Sequence, residues 1–230
     1  MKTVTIIPAG GTGRRMGREI PKQYLLLAGI PILAHTLGAF QRSPFIDEIL
    51  LAVPEGDIAE VRRAVVERYG FSRVTLVLAG GRERQDSVKN ALAHVCDEHG
   101  VIVIHDGVRP FVTGDLIERA VAGAQKYGAV STGIPVRDTM KEVDGTGQVV
   151  RTVSREGLWL TQTPQAFRRE VILAAYERAA ADGFYGTDDA SLVERTGIPV
   201  RMIMGDKDNI KVTTPEDLAQ GEGIVCRRTG

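Results

Sequence analysis

Short apolar runs alternate with segments of helical period along most of the chain. The runs at residues 3–7, 48–53, 74–78, 101–105 and 129–136 read as strands. Between them, Ile58, Val61 and Val65 share one helical face, as do Val88, Ala91, Leu92 and Val95. Leu116, Ile117, Ala120, Val121 and Ala124 form the clearest stripe. Pro31 and Thr113 are start signals for two of these helices. Further helices are predicted over residues 169–181, 188–196 and 215–222, with short strands at 200–204 and 209–212.

Such alternation implies parallel strands joined by right-handed crossovers, with helices on both faces. The expected fold is therefore α/β, a Rossmann-like doubly wound and mostly parallel sheet. Ligands bind such sheets beyond the carboxyl ends of the strands. Three segments follow strands and should share one crevice: the loop from Pro8, the stretch Gly80-Gly81-Arg82-Glu83-Arg84, and His105-Asp106-Gly107. One segment breaks the alternation. Between about 137 and 154, two β-prone pieces flank Asp144-Gly145-Thr146-Gly147, a hairpin signature. Its strands carry little apolar surface and would be marginal alone. A protruding arm of this kind calls for a packing partner, and a second subunit is the economical one.

Composition narrows the partners. The 230 residues suffice for one α/β unit with its own core, and no linker, repeat or low-complexity stretch divides them. Lys plus Arg equals Asp plus Glu at 29 each, so net charge provides no general attraction to nucleic acid. Affinity for phosphate must be built locally. Cys96 and Cys226 form no metal-spaced pair and read as free thiols of a reducing compartment. No apolar signal stretch or bilayer-length run is present, which leads to the expectation of a cytoplasmic protein without membrane partners.

The candidate chemistry lies in Pro8-Ala9-Gly10-Gly11-Thr12-Gly13-Arg14-Arg15-Met16-Gly17 and the following Pro21-Lys22-Gln23-Tyr24. Glycines expose backbone N–H groups to a bound anion, and Arg14, Arg15 and Lys22 add cations to the same loop. The P-loop pattern is excluded because Arg14-Arg15 follows Gly13 where Lys-Ser/Thr is required. The dinucleotide fingerprint is excluded because position 16 is Met and the second strand runs into Pro54 rather than an acidic residue. No His-Arg-Asp or Asp-Phe-Gly supports a kinase loop. A strand emptying into a bare-backbone loop with cations suits a nucleoside triphosphate attacked at phosphorus.

The same loop resembles the signature of sugar-nucleotide-type nucleotidyltransferases, and within them the 2-C-methyl-D-erythritol 4-phosphate cytidylyltransferase family. Further matching blocks follow in order. They are Gly80-Gly81, Arg84-Gln85-Asp86-Ser87-Val88, His105-Asp106-Gly107-Val108-Arg109-Pro110 and Pro135-Val136-Arg137-Asp138-Thr139-Met140-Lys141. Then come Trp159-Leu160-Thr161-Gln162-Thr163-Pro164-Gln165, Thr187-Asp188-Asp189-Ala190-Ser191 and Asp208-Asn209-Ile210-Lys211-Val212-Thr213. The chain departs from the family at Pro8, where Ala is frequent, and at Arg82, where an acidic residue is common. Neither departure removes a group the chemistry requires.

The resemblance implies one nucleotidyltransferase domain over residues 1–230 that moves CMP from CTP to an acceptor phosphate and releases pyrophosphate. It implies Arg15, Lys22, Arg155 and Lys211 as catalytic cations, with Arg14 in support. It implies substrate contacts from Pro8, Ala9, Gly10, Gly11, Gly13, Gly81, Ser87, Asp106, Arg109, Thr139 and Thr163. Backbone groups of Ala9, Gly10 and Gly81 with the Ser87 hydroxyl can read a pyrimidine edge, although Ser87 could instead cap a helix with Asp86. Asp106 is implied as the ligand of Mg²⁺ or another divalent cation, with Asp208 beside it, although a strand-end Asp can also cap the next helix. His105 reads as a packing or hydrogen-bonding residue, since an ionised phosphate needs no strong base. The arm implies a homodimer in which Thr139 and Arg155 act on the neighbouring site. A ribitol 5-phosphate cytidylyltransferase and a non-catalytic CTP-binding module are the competing readings. Arg15, Lys22, Asp106, Arg155 and Lys211 together speak against the latter, because a sensor needs no acceptor-side cations.

Overall fold

The computed structural model describes residues 1–10 and 22–229. In chain order the elements begin with β1 (Lys2–Pro8), β2 (Leu26–Leu27), β3 (Ile30–Pro31), α1 (Ile32–Arg42) and β4 (Glu48–Val53). They continue with α2 (Ile58–Val61), β5 (Val74–Ala79), α3 (Arg84–Leu92), β6 (His99–Ile104), α4 (Gly114–Tyr127) and β7 (Ala129–Pro135). The arm strands β8 (Met140–Val143) and β9 (Val149–Val153) precede β10 (Trp159–Arg168). Last come α5 (Arg169–Ala181), α6 (Asp189–Glu194), β11 (Arg201–Met204) and α7 (Pro215–Thr229).

Among the described residues, seven strands form one sheet in the order β11-β7-β10-β6-β1-β4-β5. The pairs β1–β4, β1–β6, β4–β5 and β7–β11 are parallel, and β10 runs antiparallel to both β6 and β7. Side chains alternate across a strand, so each central strand supplies two cores. Ile49, Leu51 and Val53 of β4, with Val101 and Val103 of β6, join one cluster, which includes Leu33, Leu37 and Phe40 of α1 and Leu116, Ile117 and Ala120 of α4. Leu50 and Ala52, with Ile102 and Ile104, join the other, with Val88 of α3, Ile172 of α5 and Leu192 of α6. Helices on both faces make the doubly wound architecture that the alternation implied. No helix among the described residues is long and apolar enough to cross a membrane.

Local signals act where expected. Thr113 Oγ1 accepts a hydrogen bond from Leu116 N at 3.2 Å and starts α4, and Pro31 directly precedes α1. The 137–154 segment is a hairpin: β8 pairs antiparallel with β9, and Asp144 Oδ1 accepts from Thr146 N at 2.8 Å and Gln148 N at 3.1 Å. Gly147 supplies the positive φ of 86° that this turn needs.

Several expectations require correction, and one of them is the helix foreseen over 215–222, which runs on to Thr229 as α7. Residues 209–212 form no strand. Val212 is fully buried against Val108 and Phe111, and its N–H donates to the Val108 carbonyl at 2.9 Å, so the segment is a packed loop. The helix foreseen over 188–196 spans only Asp189–Glu194, because Asp188 is its cap and accepts from Ser191 N. The helix that begins with α2 changes to a π-helical turn at Arg62–Glu67. Strand β10 was not foreseen at all.

Candidate active site

The exits of three parallel strands meet. Ala9 N donates to the Ala52 carbonyl at 2.7 Å, Gly80 N to the Val53 carbonyl at 2.7 Å, and Gly107 N to the Pro8 carbonyl at 3.2 Å. These bonds bring Pro8, Ala9 and Gly10 beside the Gly80-Gly81 turn and the Asp106 loop. Ser87 shapes the turn: its hydroxyl accepts from Gly81 N at 3.0 Å and donates to the Glu83 carbonyl at 3.1 Å. A Cβ on Gly81 would lie 2.2 Å from the Asp86 Cβ, so only glycine fits there. Asp86, rather than Ser87, closes the start of α3, accepting from Glu83 N at 3.0 Å.

Asp106 is the electrostatic centre. Its carboxylate is buried and meets three cations: Arg84 Nε at 2.9 Å, Lys211 Nζ at 2.9 Å and Arg109 Nε at 3.4 Å. Burial alone would raise its pKa, but the charges of Arg84, Lys211 and Arg109 outweigh that and hold it well below the usual carboxylate range. Arg109 is fixed at its other end, where Nη1 donates to the Asn209 carbonyl at 2.8 Å. Asn209 Nδ2 donates in turn to the Thr163 carbonyl at 2.7 Å, tying β10 to the loop that carries Lys211.

Behind Asp106, Thr163 Oγ1 accepts from Asp106 N at 3.1 Å and bonds His105 Nδ1 at 3.0 Å. The Thr163 hydroxyl therefore donates to Nδ1, and His105 Nε2–H donates to the Arg109 carbonyl at 3.1 Å. Both ring nitrogens are committed. Burial pushes the imidazole pKa down to about 4, with Arg109 and Arg84 acting in the same sense, so His105 is neutral and structural, in agreement with the reading that it is not a base.

The structure thus joins Asp106, Arg109, Lys211 and Thr163, and sets Pro8, Ala9, Gly10, Gly81 and Ser87 at the neighbouring strand exits. Thr139 and Arg155 are exposed at the base of the arm, where the Arg155 guanidinium donates to the Arg137 carbonyl. No bond among the described residues joins either to Asp106. Asp208 pairs with Arg227 Nη2 at 3.4 Å instead of meeting Asp106. Gly11, Gly13, Arg14 and Arg15 lie outside the described residues, as does the side chain of Lys22. Sequence reasoning missed Arg84 and Asn209 as members of the site. Both stand in matching blocks, but nothing local announces a contact between Arg84 and a residue 22 positions on.

Among the described residues, no three His, Cys, Asp or Glu side chains gather as a metal cage. One carboxylate is enough for Mg²⁺, which takes one or two together with substrate phosphate oxygens and water. Asp106 fits that demand, because an ionised carboxylate offers about four acceptor sites and, among the described residues, three are taken.

The family described as IspD: 2-C-methyl-D-erythritol 4-phosphate cytidylyltransferase matches residues 3–227. The chain is 52% identical over 228 residues to the 2-C-methyl-D-erythritol 4-phosphate cytidylyltransferase of Geobacter metallireducens, covering 98% of each. It is 49% identical to that of Syntrophus aciditrophicus over 229 residues, covering 100% of this chain and 98% of the relative. Among solved structures, the 4-diphosphocytidyl-2C-methyl-D-erythritolsynthase of Anaerococcus prevotii superposes with a TM-score of 0.86 at 31% identity, covering 98% of this chain and 96% of that one. The Thermus thermophilus cytidylyltransferase gives 0.80 at 32%, covering 96% and 98%. With the family matching residues 3–227 and relatives of 49% and 52% identity spanning nearly all of both chains, the chain belongs to the 2-C-methyl-D-erythritol 4-phosphate cytidylyltransferase family.

Proposed function

We propose that the chain transfers CMP from CTP to 2-C-methyl-D-erythritol 4-phosphate, yielding 4-diphosphocytidyl-2-C-methyl-D-erythritol and pyrophosphate for isoprenoid precursor synthesis. An oxygen of the acceptor phosphate attacks the α-phosphorus of CTP, and the bond to the bridging oxygen of pyrophosphate breaks. The observation that carries this reading is the meeting of Arg109 and Lys211 on buried Asp106, beside the open glycine turn at Gly81. Family membership along the whole chain supports the choice of CTP and of the acceptor.

The reaction has to align two anions and disperse charge around phosphorus. Preformed cations do both. Arg14, Arg15 and Lys22 are assigned to the triphosphate on resemblance, and Lys211 and Arg155 to the acceptor phosphate. The strand exits at Ala9, Gly10 and Gly81, with Ser87 behind them, hold the cytosine. A bound divalent ion supplies further neutralisation of the triphosphate. Asp106 is its proposed anchor, and Asp208 joins only if Arg227 releases it. His105 moves no proton, because the nucleophile is already ionised. The arm is proposed to pack on a second copy of the chain, placing Thr139 and Arg155 at the partner site. All four residues of β8 are exposed, and Met140, Val143, Val149 and Val150 offer it an apolar surface.

Pyrophosphate release measured with CTP, Mg²⁺ and either methylerythritol phosphate or ribitol 5-phosphate tests the proposal. Release with the first acceptor alone is expected. Preference for ribitol 5-phosphate would reassign the acceptor, and CTP binding without turnover would leave a non-catalytic module.

A further inference from the structure

A second buried carboxylate lies one layer behind Asp106. Asp189, the first residue of α6, is 1% exposed. Its Oδ2 accepts from Arg84 Nη2 at 2.7 Å, and its Oδ1 accepts from the Tyr176 hydroxyl at 2.6 Å. Burial and the Asp189 charge raise the Tyr176 pKa, so that hydroxyl stays protonated and donates. Arg84 therefore spans two buried carboxylates, with Nη2 on Asp189 and Nε on Asp106.

Both ends of this bridge stand on elements fixed to one another. Gln165 of β10 donates to Asp188 Oδ2 at 2.7 Å and accepts from Ala190 N at 2.9 Å, which pins the start of α6. Gln85, next to Arg84, donates to the Phe184 carbonyl and accepts from Gly186 N, both at 2.9 Å, which ties α3 to the segment before α6. Burying a cluster of this sort is unfavourable unless every charge has a partner, and such clusters contribute little net stability. A positional role explains the cluster better than a stabilising one.

The geometry of a guanidinium shows what that role is. A free Arg fork takes a carboxylate with two parallel N–H bonds. Such a grip on Asp106 would take one acceptor site on each oxygen and compete with Lys211 and Arg109 for Oδ2. With Nη2 held by Asp189, Arg84 reaches only Oδ1 of Asp106, and Oδ2 remains with Lys211 at 2.9 Å and Arg109 at 3.4 Å. We propose that Asp189 is a positioning residue: it restrains Arg84 to a single contact on Asp106, so that the second carboxylate oxygen serves the substrate-side cations.

This inference rests on the transfer reaction proposed above, and the test separates the two. Steady-state kinetics with CTP, methylerythritol phosphate and Mg²⁺ would compare wild type, Asp189→Asn, Arg84→Met and the double variant, with thermal unfolding of each. Asp189→Asn should lower kcat about tenfold, the size typical of losing an outer-layer partner, and change KM for CTP less than twofold. Removing the released guanidinium as well should restore part of the activity, so the double variant should exceed Asp189→Asn. A double variant no better than Asp189→Asn, or an unimpaired Asp189→Asn, overturns the inference while leaving the proposed function standing. An inactive wild type overturns the function and the inference with it. Should Asp189→Asn fail to fold, Tyr176→Phe carries the test: it frees one end of Asp189, and an unchanged kcat in that folded variant counts as refutation.

Discussion

Lys211 Nζ stands 2.9 Å from Asp106 Oδ2, and of the three described cations on that carboxylate Lys211 is the most exposed. The Lys211 side chain is 38% exposed, against 29% for Arg84 and 12% for Arg109. Arg84 and Arg109 can neutralise Asp106 without it, while a compact ammonium on a flexible stem can swing to an arriving phosphate. Lys211→Met keeps the length and the apolar stem and removes only the charge. Its kcat/KM for the acceptor should fall by ~10²–10³, the usual effect of losing one group that stabilises charge in the transition state. Steady-state pyrophosphate release checks this, and a loss below about threefold would remove Lys211 from the chemistry.

His105 makes the fold sensitive to acid in a defined window. Its folded pKa of about 4 lies below the ordinary 6.5. Between these values the unfolded chain binds a proton that the native chain refuses, so this contribution is complete above pH 6.5 and fades as pH falls towards 4. The group alone is worth about 3 kcal/mol across the window. Asp106 does not blur the effect, because it stays ionised to lower pH. Urea midpoints of wild type and His105→Gln at pH 7.5 and pH 5 provide the measurement. The wild type should lose distinctly more stability than the variant, and parallel losses would contradict the assignment.

The parallel strands were legible because buried parallel strands read as continuous apolar runs. Strand β10 was not, for the opposite reason. Gln162, Thr163 and Gln165 are buried in a strand between β6 and β7, and specific partners satisfy their side chains. Gln165 meets Ser131 and Asp188, Gln162 meets the Asp206 carbonyl, and Thr163 meets Asp106 and His105. Hydropathy patterning cannot find a strand whose burial depends on hydrogen bonds between distant residues. The same limit hid Arg84, whose partners are 22 and 105 positions away. Asp106, Arg109, Thr163 and Lys211 were named because motif resemblance carries long-range geometry that local periodicity does not.

The Gly80-Gly81 turn should tolerate no side chain at its second position. A Cβ at Gly81 would come within 2.2 Å of the Asp86 Cβ and 3.0 Å of its backbone carbon, neither of which can yield without moving the start of α3. Gly81→Ala should therefore raise Kd for CTP about tenfold or more through displacement of Ser87 and the turn, an effect of over 1 kcal/mol. Calorimetric titration with CTP would show it, and unaltered affinity would place the base elsewhere.

The arm makes a prediction that no monomer can satisfy. Thr139 and Arg155 are implied in acceptor binding, yet both are exposed and neither is bonded to the Asp106 cluster of their own chain. If the site is shared, Arg15→Ala and Arg155→Ala each inactivate a homodimer, for different reasons. In a hybrid, one of the two sites combines an intact Arg15 from one chain with an intact Arg155 from the other, while the second site lacks both. Mixing the inactive variants under conditions that exchange subunits should then restore up to about a quarter of wild-type turnover, because half the dimers are hybrids with one working site each. Sedimentation of the same mixtures would verify that exchange occurred. Exchange without recovered activity would mean that Arg155 serves its own chain, and a fully active Arg155→Ala homodimer would remove Arg155 from the reaction.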